Sequence, residues 1–153
     1  MDSKILKSLA SVLIVVLVGG LILSRLGNVD YSYTGGPTVT GCSRLGPITK
    51  SIVYKENESF TATFLNHAGT SIVLDDVRVY EAITAMNCTV EAPSKGMKVG
   101  AGDTFKMDAT CPGSYKNFGD TYSVDVNITF TSFEGGQNLT HLESGSIRGA
   151  VEK

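Results

Sequence analysis

The chain has 153 residues, a length that suits one domain with an appendage rather than two full domains. Its 13 Lys and Arg against 15 Asp and Glu give a net charge of −2, which argues against the basic surface that nucleic acid binding requires. A hydrophobic content of 42% excludes a disordered chain. The apolar residues are nevertheless unevenly distributed along the chain.

The first element is an apolar run, residues 8–24, that holds 17 uncharged residues between Lys7 and Arg25. As a helix it would be about 25 Å long at about 1.5 Å per residue, against about 30 Å for a hydrocarbon core. The run is apolar on every face, so lipid or other helices must cover all of it. The sequence therefore predicts a long hydrophobic helix over residues 1–27.

Three interpretations of this segment compete: a cleaved signal peptide, a plain membrane anchor, and a helix that packs against its copies in a filament core. No A-x-A-like site follows the run, which disfavours the signal peptide. The marginal length favours packing among copies, and adjacent glycines allow close approach of backbones. The assembly residues predicted on this basis are Leu9, Val12, Val15, Val16, Gly19, Gly20 and Leu23.

Charge and glycosylation signals give an orientation. Lys4 and Lys7 precede the apolar run, which favours a cytoplasmic N-terminus with the rest of the chain outside. Roughly one or two N-x-S/T sequons are expected by chance from this composition, yet four follow the run. They predict N-linked glycans, with accidental sequons in a Thr-rich β sequence as the alternative. The acceptor residues are Asn57, Asn87, Asn127 and Asn138.

Beyond the run, residues 28–47 contain four Gly and two Pro, which predicts a linker. The period then changes to two, most clearly over residues 122–130, where apolar and polar side chains alternate. About seven short strands with frequent turns predict an all-β, immunoglobulin-like Greek-key sandwich over residues 48–153, outside the cell. The candidate strands are 48–54, 59–65, 71–80, 87–91, 105–109, 122–130 and 141–151.

Three cysteines permit one disulfide. Phe105, Met107 and Ala109 alternate with polar residues and form an inward series of side chains. Cys111 continues this series, and Cys88 has the parity of Val90, so both cysteines can face the core. Cys88–Cys111 is therefore the preferred pair. Two alternatives remain. Cys42 could bridge to either partner, which would tie the linker to the sandwich, or all three thiols could be free.

Motifs for catalysis or metal binding are weak. His67 and His141 are 74 residues apart, and no nucleophile motif surrounds any Ser. Asp75 and Asp76 supply too few ligands for calcium, and no CxxC or Cys/His cluster favours zinc. The glycines of residues 96–102 lack the strand-to-helix context of a phosphate loop. We expect neither enzymatic activity nor a cofactor or metal.

The layout of apolar helix, joint and glycosylated β domain resembles that of archaeal type IV pilins and related filament subunits. The stretches FLNHAGTSI and GDTYSVDVNITFTSFEGGQNLTHLESGSIRGAVEK look like the turn and closing hairpin of such domains. Members of that family are made as prepilins and cut after a small residue, just before the apolar helix. The best match here is Ser8 before Leu9, with Ala10 second; the position carries no Gly.

The resemblance implies an extracellular adhesion filament in which the helix packs in the core and the sandwich lies outside. Its partner is the chain itself, in a helical homopolymer, with the membrane as the environment before assembly and no nucleic acid. The alternative is a non-filamentous, membrane-anchored β-sandwich with its C-terminal domain outside. That protein would be a stator component of the archaeal motility filament or a surface binding module.

Overall fold

The computed structural model describes residues 35–114 and 116–153. The hydrophobic helix predicted over residues 1–27, with its assembly residues and the processing site at Ser8 and Leu9, lies outside the described residues. None of the described residues belongs to a helix that is long and apolar enough to cross a membrane. The domain described below is therefore the part of the chain that follows the apolar run.

Ten strands and one short 3-10 turn, Thr49–Ser51, form the described part of the chain. Apolar and polar residues alternate in the longer strands, so one side of each faces the interior. The strands are β1 (Thr38–Gly41), β2 (Leu45–Pro47), β3 (Val53–Tyr54), β4 (Ser59–Asn66), β5 (Ile72–Glu81), β6 (Met86–Ala92), β7 (Lys98–Val99), β8 (Thr104–Thr110), β9 (Thr121–Glu134) and β10 (Gln137–Ala150).

All ten strands belong to one antiparallel sheet. Its order is β1-β10-β9-β5-β6-β8-β4-β2, with β3 beside β4 and β7 beside β5. The strands at the two ends of this order, β1 and β2, are consecutive in the chain and are joined by residues 42–44 alone. The sheet is therefore nearly closed.

The prediction of a seven-stranded immunoglobulin-like sandwich is wrong. An immunoglobulin fold has two separate sheets packed face to face. Here β6 joins the two halves of a single sheet, one formed by β1, β10, β9 and β5 and the other by β8, β4 and β2. Residues 86–88 of β6 pair with β5, and Thr89, Val90 and Ala92 pair with β8 across a register shift. A period of two determines which face of a strand is buried, but it does not determine the partner of that strand.

The interior is filled by inward side chains from both halves of the sheet. Tyr54 of β3 stacks on Tyr122 of β9 with ring centroids 4.9 Å apart. Phe64 and Phe105, on the adjacent strands β4 and β8, stack with centroids 5.4 Å apart. All four rings are almost completely buried, and they form part of one core cluster.

The range 28–47, which the composition predicts as a linker, contains β1 and β2. β1 lies against β10, and a close approach at Gly145 permits this contact. A Cβ at Gly145 would lie 2.5 Å from the Cys42 Sγ and 2.7 Å from the Thr40 carbonyl oxygen. Glycine here lets the thiol of Cys42 fill the space that a larger residue on β10 would occupy.

β9 and β10 form the longest hairpin, with 14 cross-strand pairs from Glu134–Gln137 to Thr121–Ala150. Gly135 and Gly136 connect them, with φ of 58° and 84°. Two central residues with positive φ define the type I′ turn that matches the twist of the flanking strands. The C-terminal part of the sequence therefore forms one long β ribbon that ends in a tight turn.

Candidate functional site: the outer face of the sheet

The solvent side of β1, β10, β9, β5 and β6 forms one mostly polar surface, called the outer face below. Its members are exposed or half-buried, and most carry a hydroxyl, amide or carboxylate group. They are arranged in cross-strand rows: Thr40, Ser146, Asp125, Tyr80 and Asn87; Ser144, Asn127 and Arg78; Leu142, Thr129 and Asp76; Thr140, Thr131 and Val73; and Asn138 and Phe133.

Each of the four predicted glycan acceptors is exposed. Asn87, Asn127 and Asn138 lie on the outer face, on β6, β9 and β10, and Asn57 lies in the turn between β3 and β4. Two sequon asparagines of the β9–β10 hairpin and a third from β6 are thus placed on one side of the domain. Exposure is what a glycan acceptor requires in a folded chain.

The acceptors differ in their surroundings. The side-chain oxygen of Asn57 accepts hydrogen bonds from the Ser59 hydroxyl at 2.6 Å and the Ser59 backbone N–H at 3.3 Å, which forms a local turn. The Ser144 hydroxyl donates to the side-chain oxygen of Asn127 at 2.6 Å. Asn138 follows the β9–β10 turn directly, two residues beyond Gly136.

Side-chain hydrogen bonds also connect β9 and β10 along the outer face. Besides Ser144–Asn127, the Ser146 hydroxyl donates to Asp125 at 2.5 Å, and the hydroxyls of Thr131 and Thr140 lie 3.3 Å apart. Such cross-strand pairs contribute about 0.2–1 kcal/mol each. They hold the hairpin that bears two of the acceptors in a single register.

The structure confirms the predicted disulfide between Cys88 and Cys111. Cys111 is buried directly after β8, as the inward series predicts, and Cys88 is half-buried on β6. The bridge joins the strand shared by both halves of the sheet to the end of its neighbour. Because Asn87 precedes Cys88, the bridge also fixes the strand that carries this acceptor.

Cys42 remains a free, buried thiol. Burial, with a smaller contribution from the negative charge of Glu143, raises its pKa to about 11. The thiolate is the reactive form of cysteine, so this side chain is inert at neutral pH. Cys42 therefore has a packing role next to Gly145.

A buried ion pair that was not predicted from the sequence lies beneath the end of β5. Lys116 Nζ is 3.5 Å from Glu81 Oε1, with 7% and 0% of the two side chains exposed. The other carboxylate oxygen accepts hydrogen bonds from the Thr84 N–H and hydroxyl, and Oε1 accepts one from the Ser123 N–H. Burial raises the pKa of Glu81, but these donors and the Lys116 charge outweigh burial and the pKa is lowered.

The two histidines, far apart in sequence, both contact Arg44. The Arg44 carbonyl accepts a hydrogen bond from the His67 N–H at 2.7 Å. The Arg44 guanidinium donates to His141 Nδ1 at 2.8 Å, His141 Nε2 is 2.9 Å from the Ser132 hydroxyl, and that hydroxyl donates to Glu134. This arrangement requires the proton on Nε2. Ser132 is almost completely buried, so the chain of hydrogen bonds fastens the β1–β2 connection to the hairpin.

The acidic pair on β5 is used in local contacts. The Thr131 hydroxyl donates to Asp75 at 2.7 Å, and Arg78 pairs with Asp76 at 2.8 Å. Within residues 35–114 and 116–153, no group of three or more His, Cys, Asp or Glu side chains could hold a metal ion. The pair is therefore part of the polar surface rather than a ligand set.

Two large apolar side chains stand out on the outer face: Phe133 is 62% exposed and Leu142 is 66% exposed. Phe133 lies at the edge of a shallow cavity of about 240 Å³, which Asn138, Val73 and Lys98 also line. This arrangement was not predicted from the sequence, although the spacing of Phe133 and Asn138 around Gly-Gly indicates that they face each other across the turn. The cavity is smaller than the ~300–1,000 Å³ of typical small-molecule pockets.

No protein-family model matches the chain, and no characterised protein has significant sequence similarity to it. The candidate site is a broad polar sheet face with three exposed sequon asparagines, held by cross-strand hydrogen bonds and a disulfide. Such a surface suits contact with water.

Proposed function

We propose that the chain is a structural subunit of an extracellular archaeal filament of the type IV pilus kind, with a role in adhesion. The apolar segment of residues 8–24 is buried among its copies in the filament core, and the β domain covers the outside. The subunits bind one another in a helical homopolymer, after an earlier stage in the membrane. No enzymatic activity or cofactor is part of this proposal.

The observation that supports the proposal best is the exposure of all four sequon asparagines, three of them on one face of the domain. Glycosylation at these positions requires that the domain be outside the cytoplasm. The disulfide Cys88–Cys111 agrees with that location, because disulfides persist in oxidising compartments.

The length of the apolar segment favours assembly over simple anchoring. Its 17 uncharged residues span only about 25 Å as a helix, less than a typical hydrocarbon core. Burial against copies covers the apolar surface of the helix. Each Å² that is removed from water in this way stabilises the assembly by about 25 cal/mol. Contacts that repeat head to tail without closing generate a fibre.

The test is to shear cells that make the chain, collect any fibres and determine the N-terminus of the chain by mass spectrometry. A start at Leu9 or close to it, in fibres, supports the proposal. An intact N-terminal segment in detergent-solubilised membranes, without fibres, overturns it and favours the membrane-anchored alternative, a stator component or a surface binding module.

A charge substitution tests whether the apolar segment is buried in the fibres. Val15→Asp should abolish fibres, since a buried charge without a partner is costly. Thr121→Asp, on an exposed residue of the β domain, is the matched control and should leave fibres intact. Normal fibres from Val15→Asp would contradict burial of the apolar segment.

A further inference from the structure

The shallow cavity lined by Phe133, Asn138, Val73 and Lys98 lies beside the β9–β10 turn and is called the groove below. The proposed function does not explain why the Phe133 ring is exposed there. Phe133, an aromatic residue, points outward from β9 with 62% of its surface exposed. Single exposed apolar side chains are ordinary on protein surfaces, but Phe133 also lines a cavity of about 240 Å³. The residue directly opposite Phe133 on β10 is the glycan acceptor Asn138.

The register places the two side chains next to each other. Residues directly opposite in an antiparallel pair have Cβ atoms about 4.5–5.5 Å apart. The Asn138 amide nitrogen, to which a sugar would be joined, is therefore within reach of the Phe133 ring. Thr140, the hydroxyl residue of the same sequon, lies in the next row opposite Thr131.

The groove continues past the ring. Thr131 is opposite Val73 on β5, and Val73 is opposite Lys98 on β7, so the floor runs from an apolar side chain to an exposed amine. A sugar ring has C–H groups on its faces and hydroxyls at its rim. The slightly positive C–H groups suit the negative face of an aromatic ring, and Lys98 can donate hydrogen bonds to hydroxyls.

The other exposed phenylalanine, Phe118, differs from Phe133 in having a neighbour over its ring. Phe118 is 61% exposed, but the Lys153 amine lies over its ring at 5.1 Å. Among the described residues, no ring or cation covers Phe133. The Phe133 ring is therefore open to a group that enters the groove.

We propose that the first sugar of an N-linked glycan on Asn138 packs on the Phe133 ring and fills the groove bounded by Val73 and Lys98. The glycan then acts as a structural part of the hairpin end and shields it from solvent. This inference rests on the proposed function only in requiring that the domain be exported. It does not depend on filament assembly.

The test is a double-mutant cycle on the full chain isolated from the cells that make it. Asn138→Gln removes the acceptor and Phe133→Ala removes the ring. We expect Asn138→Gln to lower the Tm by about 3 °C in the chain with Phe133, and by less than about 1 °C in the Phe133→Ala chain. Asn57→Gln is the matched control, because Asn57 lies in a turn where no aromatic residue is its cross-strand partner, and its effect should add to that of Phe133→Ala.

A second readout distinguishes ring stacking from simple apolar contact. Protons of a sugar that lies over an aromatic ring shift upfield in the NMR spectrum, and this shift should disappear in Phe133→Leu. Glycopeptide mass spectrometry establishes the occupancy of each acceptor beforehand.

Each outcome decides the inference. The inference is supported if the Tm effects of Asn138→Gln and Phe133→Ala are not additive and the upfield shift is seen. This holds even if the chain forms no fibres and the filament proposal fails. Additive effects, or an unmodified Asn138 in a chain with sugars at the other acceptors, overturn it while leaving the filament proposal intact. A chain without any sugar overturns it and also removes the main support for the proposed function.

Discussion

The buried carboxylate of Glu81 should stabilise the folded domain through its hydrogen bonds and its ion pair with Lys116, and a substitution of Glu81 tests this. Glu81→Gln preserves the shape of the side chain but replaces one oxygen by an NH₂ group. That group must face either the two donors of Thr84 or the donors of Ser123 and Lys116. In both orientations donors meet donors, and Lys116 loses its buried counter-charge.

The magnitude follows from these contacts. A hydrogen bond to a charged group contributes about 1.5–3 kcal/mol, and removal of one partner of a buried ion pair costs about 3–5 kcal/mol. We expect Glu81→Gln to lower the free energy of unfolding by about 3–5 kcal/mol. At about 4 °C per kcal/mol, the Tm should fall by roughly 12–20 °C.

The pH dependence has a definite sign. The pKa of Glu81 is lowered: burial raises it, but the hydrogen bonds and Lys116 favour the charged form more strongly. A carboxyl whose pKa is lower in the folded state adds stability that is fully present above its unfolded pKa, about 4.3. That stability is lost as the pH falls through the folded pKa. Glu81→Gln should therefore lose less stability on acidification than the wild type, while Asp108, whose pKa is also lowered, still contributes.

The assay is urea unfolding of the oxidised chain, followed by far-UV circular dichroism at several pH values. Glu91→Gln is the matched control, because Glu91 is exposed and accepts one hydrogen bond, from the Thr110 hydroxyl. It should change the free energy of unfolding by less than about 0.5 kcal/mol. The reasoning is refuted if Glu81→Gln unfolds within 1 kcal/mol of the wild type, or if its acid-induced loss equals that of the wild type.

Three further predictions concern the cysteines and their surroundings. Cys88→Ser with Cys111→Ser should lower the free energy of unfolding by about 3 kcal/mol, and reductant should have the same effect on the wild type in urea titrations; no change in either would contradict it. Because the pKa of Cys42 is about 11, its thiol should resist iodoacetamide at neutral pH in the folded chain and react in denaturant, as mass spectrometry would reveal; rapid labelling of the folded chain would refute its burial. Gly145→Ala should cost about 1–3 kcal/mol in the same titrations, since its Cβ would lie 2.5 Å from the Cys42 sulfur; wild-type stability would show that β1 shifts freely.

The long strands could be predicted because their alternation is local. Residues 59–65, 71–80, 87–91, 105–109 and 122–130 all fall within strands of the structure, apart from one residue at the start of the second range. The disulfide could also be predicted, because the inward series that leads to Cys111 places it in the core. These signals need only neighbouring residues in the sequence.

Pairing and short strands could not be predicted in this way. β1, β2 and β7 have 4, 3 and 2 residues, too few for a periodic signal, and β1 and β2 lie among Gly and Pro. The joining of both halves through β6 depends on contacts with β5 and β8, which no local pattern encodes. Glu81 did carry a signal: it follows Val79 by two and is therefore an acidic residue at an inward position.

The long β9–β10 ribbon has a geometric consequence for access from outside. The chain enters the domain at β1, where Thr38 is opposite Arg148, and the ribbon then continues for ten residues to Asn138. At about 3.4 Å per residue, the turn end stands about 34 Å along β10 from that entry point. An antibody directed at the turn would therefore bind far from β1, so this end of the ribbon is the most favourable place for a label that must leave β1 undisturbed.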